Sequence, residues 1–263
     1  PHLRASPIAA TTVDIDATGV TTIAEAGDIT ASDAVTFGAN KSGRLTTAGE
    51  ITTSDDNVTF TNAVTLSGDV EIDTGSSGDI LFSSTVTTAD KNLTLDAGAA
   101  GNITADKSIT GGGAFTVTDG AVQQYTGAIE VASLDIQDAT TSVTLDGAVT
   151  TQTTLDINSG GTLTQNKKVI AGTSLDYDAG GALTINETIA ATTVDIDALG
   201  PPSAPDSGPS PSGGDILDVS QYSVYTQRTW VGRAHRGVRA QTHRTVSQTP
   251  QTCSVRSWWQ MVR

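Results

Sequence analysis

The sequence predicts an all-β chain, a parallel β-helix (β-solenoid) with three short strands in each coil of about 20 residues and about nine coils. Three observations carry this. Apolar phrases recur in a fixed order, each has the strand period of two, and no proline falls between Ile8 and Gly200.

The first phrase is an apolar-polar-apolar triplet that begins at Val13, Val35, Val70, Leu93, Phe115, Leu134, Leu155, Leu175 and Val194. Its intervals are 19 to 23 residues, apart from one gap of 35 between Val35 and Val70. The second, commonly Gly-x-aliphatic-Thr, is centred on Ile23, Leu45, Ile80, Ile103, Val122, Val143, Leu163 and Leu183. The third follows 6 or 7 residues later, at Ile29, Ile51, Val86, Ile109, Ile129, Val149, Ile170 and Ile189. Gly, Asp, Asn and Ser bound the phrases and supply turns, while helical spacing is not sustained.

A single coil cannot hold itself together. Ordering its backbone costs roughly 1–2 kcal/mol per residue, and its few aliphatic side chains bury too little surface until a second coil covers them. Stacking supplies that cover and pairs each strand above and below at about 4.8 Å, which makes nine coils a rod about 40 Å long. Leu134, Leu155, Leu175 and Val194 are then neighbours in one interior column. Within the long gap, Val58-Thr59-Phe60 and Val64-Thr65-Leu66 have strand character without a place in the three columns. They are expected to form an insertion at 58–66; misphasing of the first three coils is the other reading.

Composition sets further limits. Only 4% of residues are aromatic, so the interior must be built from small aliphatics. A net charge of −15 disfavours nucleic acid and anionic membrane surfaces as partners. The lone Cys253 rules out an internal disulfide and a cysteine zinc site, and the repeats contain no histidine beyond His2 to serve a nucleophilic triad. Neither a Gly-rich phosphate loop nor the nonapeptide of calcium-dependent β-rolls is present. The chain begins at Pro1 without a signal peptide or an apolar run that could span a bilayer, and it reads as a segment of something longer.

The composition changes after Gly200. Residues 1–199 are read as the repeat domain, 200–214 (GPPSAPDSGPSPSGG) as a Pro/Gly/Ser linker, and 215–263 as a basic tail. Residues 1–200 hold 26 acids and 7 bases, whereas 201–263 hold 3 acids and 7 bases, all of them Arg. A tail of Arg, Trp, His and Cys without apolar pattern fits disorder, a stretch outside its native reading frame, or a binding segment for an acidic partner or for the acidic rod itself.

One feature has chemical content. In the first phrase the apolar residues point inward, so the residue between them points out; in four successive coils it is Asp135, Asp156, Asp176 and Asp195. Carboxylates stacked about 4.8 Å apart repel. Three readings fit: a solvated acidic face, a ladder of hard oxygen ligands for calcium, or a carboxylate pair for glycan hydrolysis. A second row of Asp and Asn, at Asp73, Asp96, Asn158, Asp178 and Asp197, is expected to make local turn bonds. The sequons at Asn40, Asn57, Asn92, Asn102 and Asn186 are read as by-products of Thr-rich strands.

The phrases GDILFSSTVTTADKNLTLDAGAAGNIT (78–104) and SGGTLTQ (159–165) resemble the repeat region of filamentous haemagglutinin-like bacterial surface proteins and autotransporter passengers. The resemblance covers most of residues 10–199. It implies a right-handed β-helix on the cell surface or outside the cell, acting in adhesion or matrix formation, with host or matrix glycans or proteins as partners. It brings no catalytic residue and no cofactor. The secretion domain and the β-barrel translocator of that family are not seen in this sequence. The alternative on the same scaffold is a carbohydrate-active enzyme, a polysaccharide lyase or glycoside hydrolase, for which an irregular site with acids and bases together would be needed. Only the 58–66 region, with Asp55 and Asp56 beside it, is irregular enough to qualify. Uncapped solenoid ends are also expected to invite end-to-end self-association.

Overall fold

A computed structural model describes residues 6–38, 43–198 and 224–226. Successive coils contribute their strands to three parallel sheets of ten, nine and ten strands, and nine described coils supply one strand to each. No described residue is helical, and no described helix is long and apolar enough to cross a membrane.

The first sheet runs from Ile8–Ala10 to Thr193–Ala198, the second from Val13–Ile15 to Leu183–Ile185, and the third from Val20–Ile23 to Ile189–Ala191 with Val224–Thr226 beyond it. Strands are three to seven residues long, apart from the two-residue strands Val86–Thr87 and Ile109–Thr110. They alternate between buried and solvent-facing positions, and the inward residues merge into one continuous core. The expected interior column is present: Leu134 pairs with Leu155, Leu155 with Leu175, and Leu175 with Val194, all almost fully buried.

The region 58–66 is not an insertion. Val58–Phe60 pairs with Val35–Phe37 on one side and Ile80–Phe82 on the other, and Ala63–Leu66 pairs with Arg44–Thr47 and the Val86–Thr87 strand. The first coils are therefore out of phase with the columns read from sequence. Val13 and Val35 belong to the second sheet, Ile23 and Leu45 to the third, and Ile29 and Ile51 to the first. The cause is chemical: Val-Thr-Phe at 35–37 and 58–60 carries the same inward-outward pattern in any sheet, so only turn lengths distinguish the faces. Phe37, Phe60 and Phe82 confirm the correct phase as an interior ring stack, with centroids 5.2 and 4.7 Å apart and planes within 5°.

Two other column positions shift by one residue. Gln123, not Val122, pairs with Val143 and is buried, leaving Val122 exposed; Val169, not Ile170, pairs with Ile189. A one-residue change of register exchanges the two faces of a strand, so each correction moves a side chain from core to surface.

Two polar pairs sit inside this aliphatic core. The Tyr125 hydroxyl donates to Gln123 Oε1 at 3.0 Å, and that of Tyr177 to Gln165 Oε1 at 3.2 Å. The amide nitrogens then donate to backbone carbonyls, Gln123 Nε2 to Asp138 at 3.1 Å and Gln165 Nε2 to Lys167 at 2.9 Å. Burial pushes both phenols above their ordinary pKa, so they remain hydroxyl donors.

The linker 200–214 lies outside the described residues, as does the 215–263 tail except for Val224–Thr226. That strand pairs in parallel with Ile189–Ala191, a placement the sequence pattern does not announce.

Candidate functional site

The site is built from five consecutive strands of the first sheet, Ala114–Asp119, Ser133–Ala139, Thr154–Ser159, Ser174–Ala179 and Thr193–Ala198. Their inward Leu, Ile, Val, Phe and Tyr residues anchor the strands, which fixes what points out. Asp135, Asp156, Asp176 and Asp195 are paired in register across four strands, as the spacing predicts. Thr116 precedes them in the same row, and Ser133, Thr154, Ser174 and Thr193 form a parallel column of hydroxyl residues. Together they line an open groove of about 650 Å³.

Burial and neighbouring carboxylates raise the two middle members of the row. The Asp176 carboxyl is pushed up to about 6, first by burial and then by Asp178, Asp156, Asp195 and Asp197. Asp156 is raised by burial, Asp135 and Asp178, and Asp178 by burial and Asp195. At the start of the row, Gln137 Nε2 donates to Asp135 Oδ2 at 3.1 Å. At the other end, Asp195 Oδ1 is buried without a hydrogen-bond partner.

The second row is less uniform than the sequence suggests. Asp73 and Asp96 pair in register, and each accepts the amide N–H two residues on, from Gly75 at 2.8 Å and Gly98 at 2.9 Å, which are the expected local turn bonds. Asp119, absent from the sequence reading, continues that row beyond a register shift; burial, then Asp138 and Asp96, raise its pKa against a lowering hydrogen bond from Gly120. A second irregularity between Ile136 and Ala139 separates this set from Asn158, Asp178 and Asp197, which pair in register among themselves. Comparing coil lengths around 117–119 and 136–139 would have exposed both breaks.

The sequon asparagines have structural partners. Asn57 Oδ1 accepts the Asp79 N–H, Asp79 Oδ1 accepts both the N–H and the Nδ2 of Asn102, and Asn102 Oδ1 accepts the Val122 N–H, all between 2.8 and 3.2 Å. Asn92 bridges Asp69 to the Ala114 N–H. On a third corner, Asn166 Nδ2 donates to Asp146 at 2.7 Å and Asn186 Nδ2 to Asn166 at 2.6 Å. These rungs join successive coils outside the sheets. Asn40 lies outside the described residues.

Asp55 and Asp56 do not form a reactive pair. Asp55 has a left-handed backbone (φ 66°), and its Oδ1 accepts the Ser76 hydroxyl and N–H at 2.6 Å each, which hold its carboxyl below the usual range. The Asp56 backbone carbonyl accepts the Thr53 hydroxyl. Among the described residues no group of three or more His, Cys, Asp or Glu side chains is arranged to hold a metal ion. The groove thus presents carboxyl and hydroxyl groups in a repeating lattice without a closed coordination shell. Comparisons with protein-family models, curated proteins and solved structures bring no match, so the likeness to haemagglutinin-like repeats rests on the wording of the repeats themselves.

Proposed function

We propose that residues 1–199 are a structural or adhesive segment of a large exported bacterial surface protein, located outside the cell or at its surface. The observation that supports this is the uniformity of the outer faces. Nearly every coil offers one Thr, Ser, Asp, Asn or Gln at equivalent positions, as in the Thr22, Thr46, Thr65, Thr87 and Thr110 row of the third sheet. Such a surface binds through many equal weak contacts, and affinity accumulates by multivalency instead of arising in one pocket. Host or matrix glycans and proteins suit the hydroxyl and amide columns, and further copies of the chain suit the strand edges at the coil ends.

The enzymatic alternative draws on one observation, the raised Asp176 carboxyl beside the Asp156 carboxylate in an open groove. No described cationic side chain stands among the groove residues to assist such a pair. Glycan and matrix-protein arrays probed with the full chain, with a reducing-end assay on the same glycans, test both readings. Binding without release of reducing ends supports the adhesive rod; release of reducing ends replaces it with a carbohydrate-active enzyme, a polysaccharide lyase or glycoside hydrolase.

A further inference from the structure

We propose that the carboxyl row from Asp135 to Asp195 is a proton-operated lock on the last coils of the solenoid: it holds them more tightly in mildly acidic surroundings than at neutral pH.

The geometry leaves the row little freedom. Each aspartate is flanked along its strand by two buried side chains, Leu134 and Ile136, Leu155 and Ile157, Leu175 and Tyr177, Val194 and Ile196. Backbone pairing then sets the strand spacing at about 4.8 Å, so the four side chains leave the backbone at neighbouring points on one face. Four negative charges at this spacing repel one another, and three of the four strands carry a further acid. Asp178 and Asp197 act on Asp176, and Asp178 also on Asp156; Asp119 and Asp138 stand on the strands at the start of the row, and Thr154–Ser159 adds the neutral Asn158. The only Lys or Arg between 114 and 198 are Lys167 and Lys168, in the turn between the second- and third-sheet strands. No described cation lies within the row, and a proton is the smallest group that can relieve it.

A proton on one carboxyl of the row removes a charge from the repulsion and turns an acceptor into an O–H donor. Asp195 Oδ1, buried and without a hydrogen-bond partner, is an acceptor waiting for such a donor on its neighbour Asp176. The raised pKa values of Asp156 and Asp176 agree with this arrangement. The sign follows from linkage. A carboxyl whose folded-state pKa lies above its unfolded value binds more protons when folded, so stability is highest below the unfolded value and falls as pH rises through the folded one, about 6 for Asp176. The lock is closed in acid and released toward neutrality.

The experiment is a thermal melt of the full chain at about pH 7.5 and about pH 5.5, above the sequence pI of 4.3, beside the Asp156→Asn, Asp176→Asn double variant. The wild type is expected to gain about 4 °C on acidification, and the variant to lose most of that gain while melting higher than wild type at pH 7.5. Approach to the pI reduces general repulsion in both proteins, so the difference between their slopes isolates the row. An equal gain in both overturns the proposal. A carbon-13 titration of wild-type aspartate carboxyls serves independently of any variant: at least one midpoint near 6 is expected, and midpoints all below about 4.5 would also overturn it.

Discussion

Asp156 and Asp176 occupy directly paired positions on neighbouring parallel strands, each fixed between two side chains buried in the same core. The relationship ties the surface chemistry of this solenoid to its interior. The apolar residues set the register, and the register sets which charges must face one another.

Truncating that interior is expected to be costly. Leu155→Ala should destabilise the chain by about 2–5 kcal/mol, since Leu155 is almost fully buried between Leu134 and Leu175. Urea denaturation gives the value. A loss below about 1 kcal/mol would mean that the column is not continuous there.

The buried Tyr177–Gln165 pair provides a different test. Tyr177→Phe removes the donor but leaves Gln165 Nε2 bonded to the Lys167 and Glu187 carbonyls, so a cost of about 1 kcal/mol is expected. Gln165→Ala strands the phenol in the core and opens a cavity, and should cost about 2–4 kcal/mol. Equal costs for the two would show that the hydrogen bond does not organise this part of the core.

Gly98 closes a turn with φ 64°, and a Cβ there would collide with the Gly75 carbonyl of the preceding coil. Gly98→Ala should therefore destabilise by more than the roughly 1–2 kcal/mol of left-handed backbone strain alone. Gly160→Ala is the control, because its nearest neighbours stand at 3.4 Å or more and its φ is not in the left-handed region. A neutral Gly98→Ala would disprove the close axial stacking of these turns.

Calcium tests the ladder reading of the row: a melting temperature of the full chain that is the same with calcium and with a chelator sets that reading aside. A rise with calcium that disappears in the Asp156→Asn, Asp176→Asn variant would establish the row as a cation ladder.

Much of this architecture is legible in the sequence because the coil is short and repeated: Leu134, Leu155, Leu175 and Val194 align by counting alone, and the outward Asp row follows from strand alternation. Phase in the first coils is not legible, because Val35-Thr36-Phe37 satisfies the pattern of any of the three faces and only the stack with Phe60 and Phe82 identifies its sheet. The buried glutamines also escape, since Gln123 stands in a column of Val, Ile and Leu and Gln165 in one of Phe, Ala, Tyr, Leu and Ile, and both become acceptable only through tyrosines whose inward direction depends on register. Proton sharing in the Asp row needs neighbours from several coils at once. That number cannot be read from any single repeat.

The central claim, that Asp156 and Asp176 are axial neighbours one coil apart, is tested most directly by cysteine cross-linking in a Cys253→Ser background. Paired strand positions about 4.8 Å apart lie within the range a disulfide spans, whereas positions two coils apart, about 9.6 Å, do not. Asp156→Cys with Asp176→Cys should oxidise to an intramolecular disulfide under mild conditions, and Asp135→Cys with Asp176→Cys should remain reduced. Failure of the first pair, or equal oxidation of both, would contradict the stacking on which the groove, the proton lock and the repeating surface all depend.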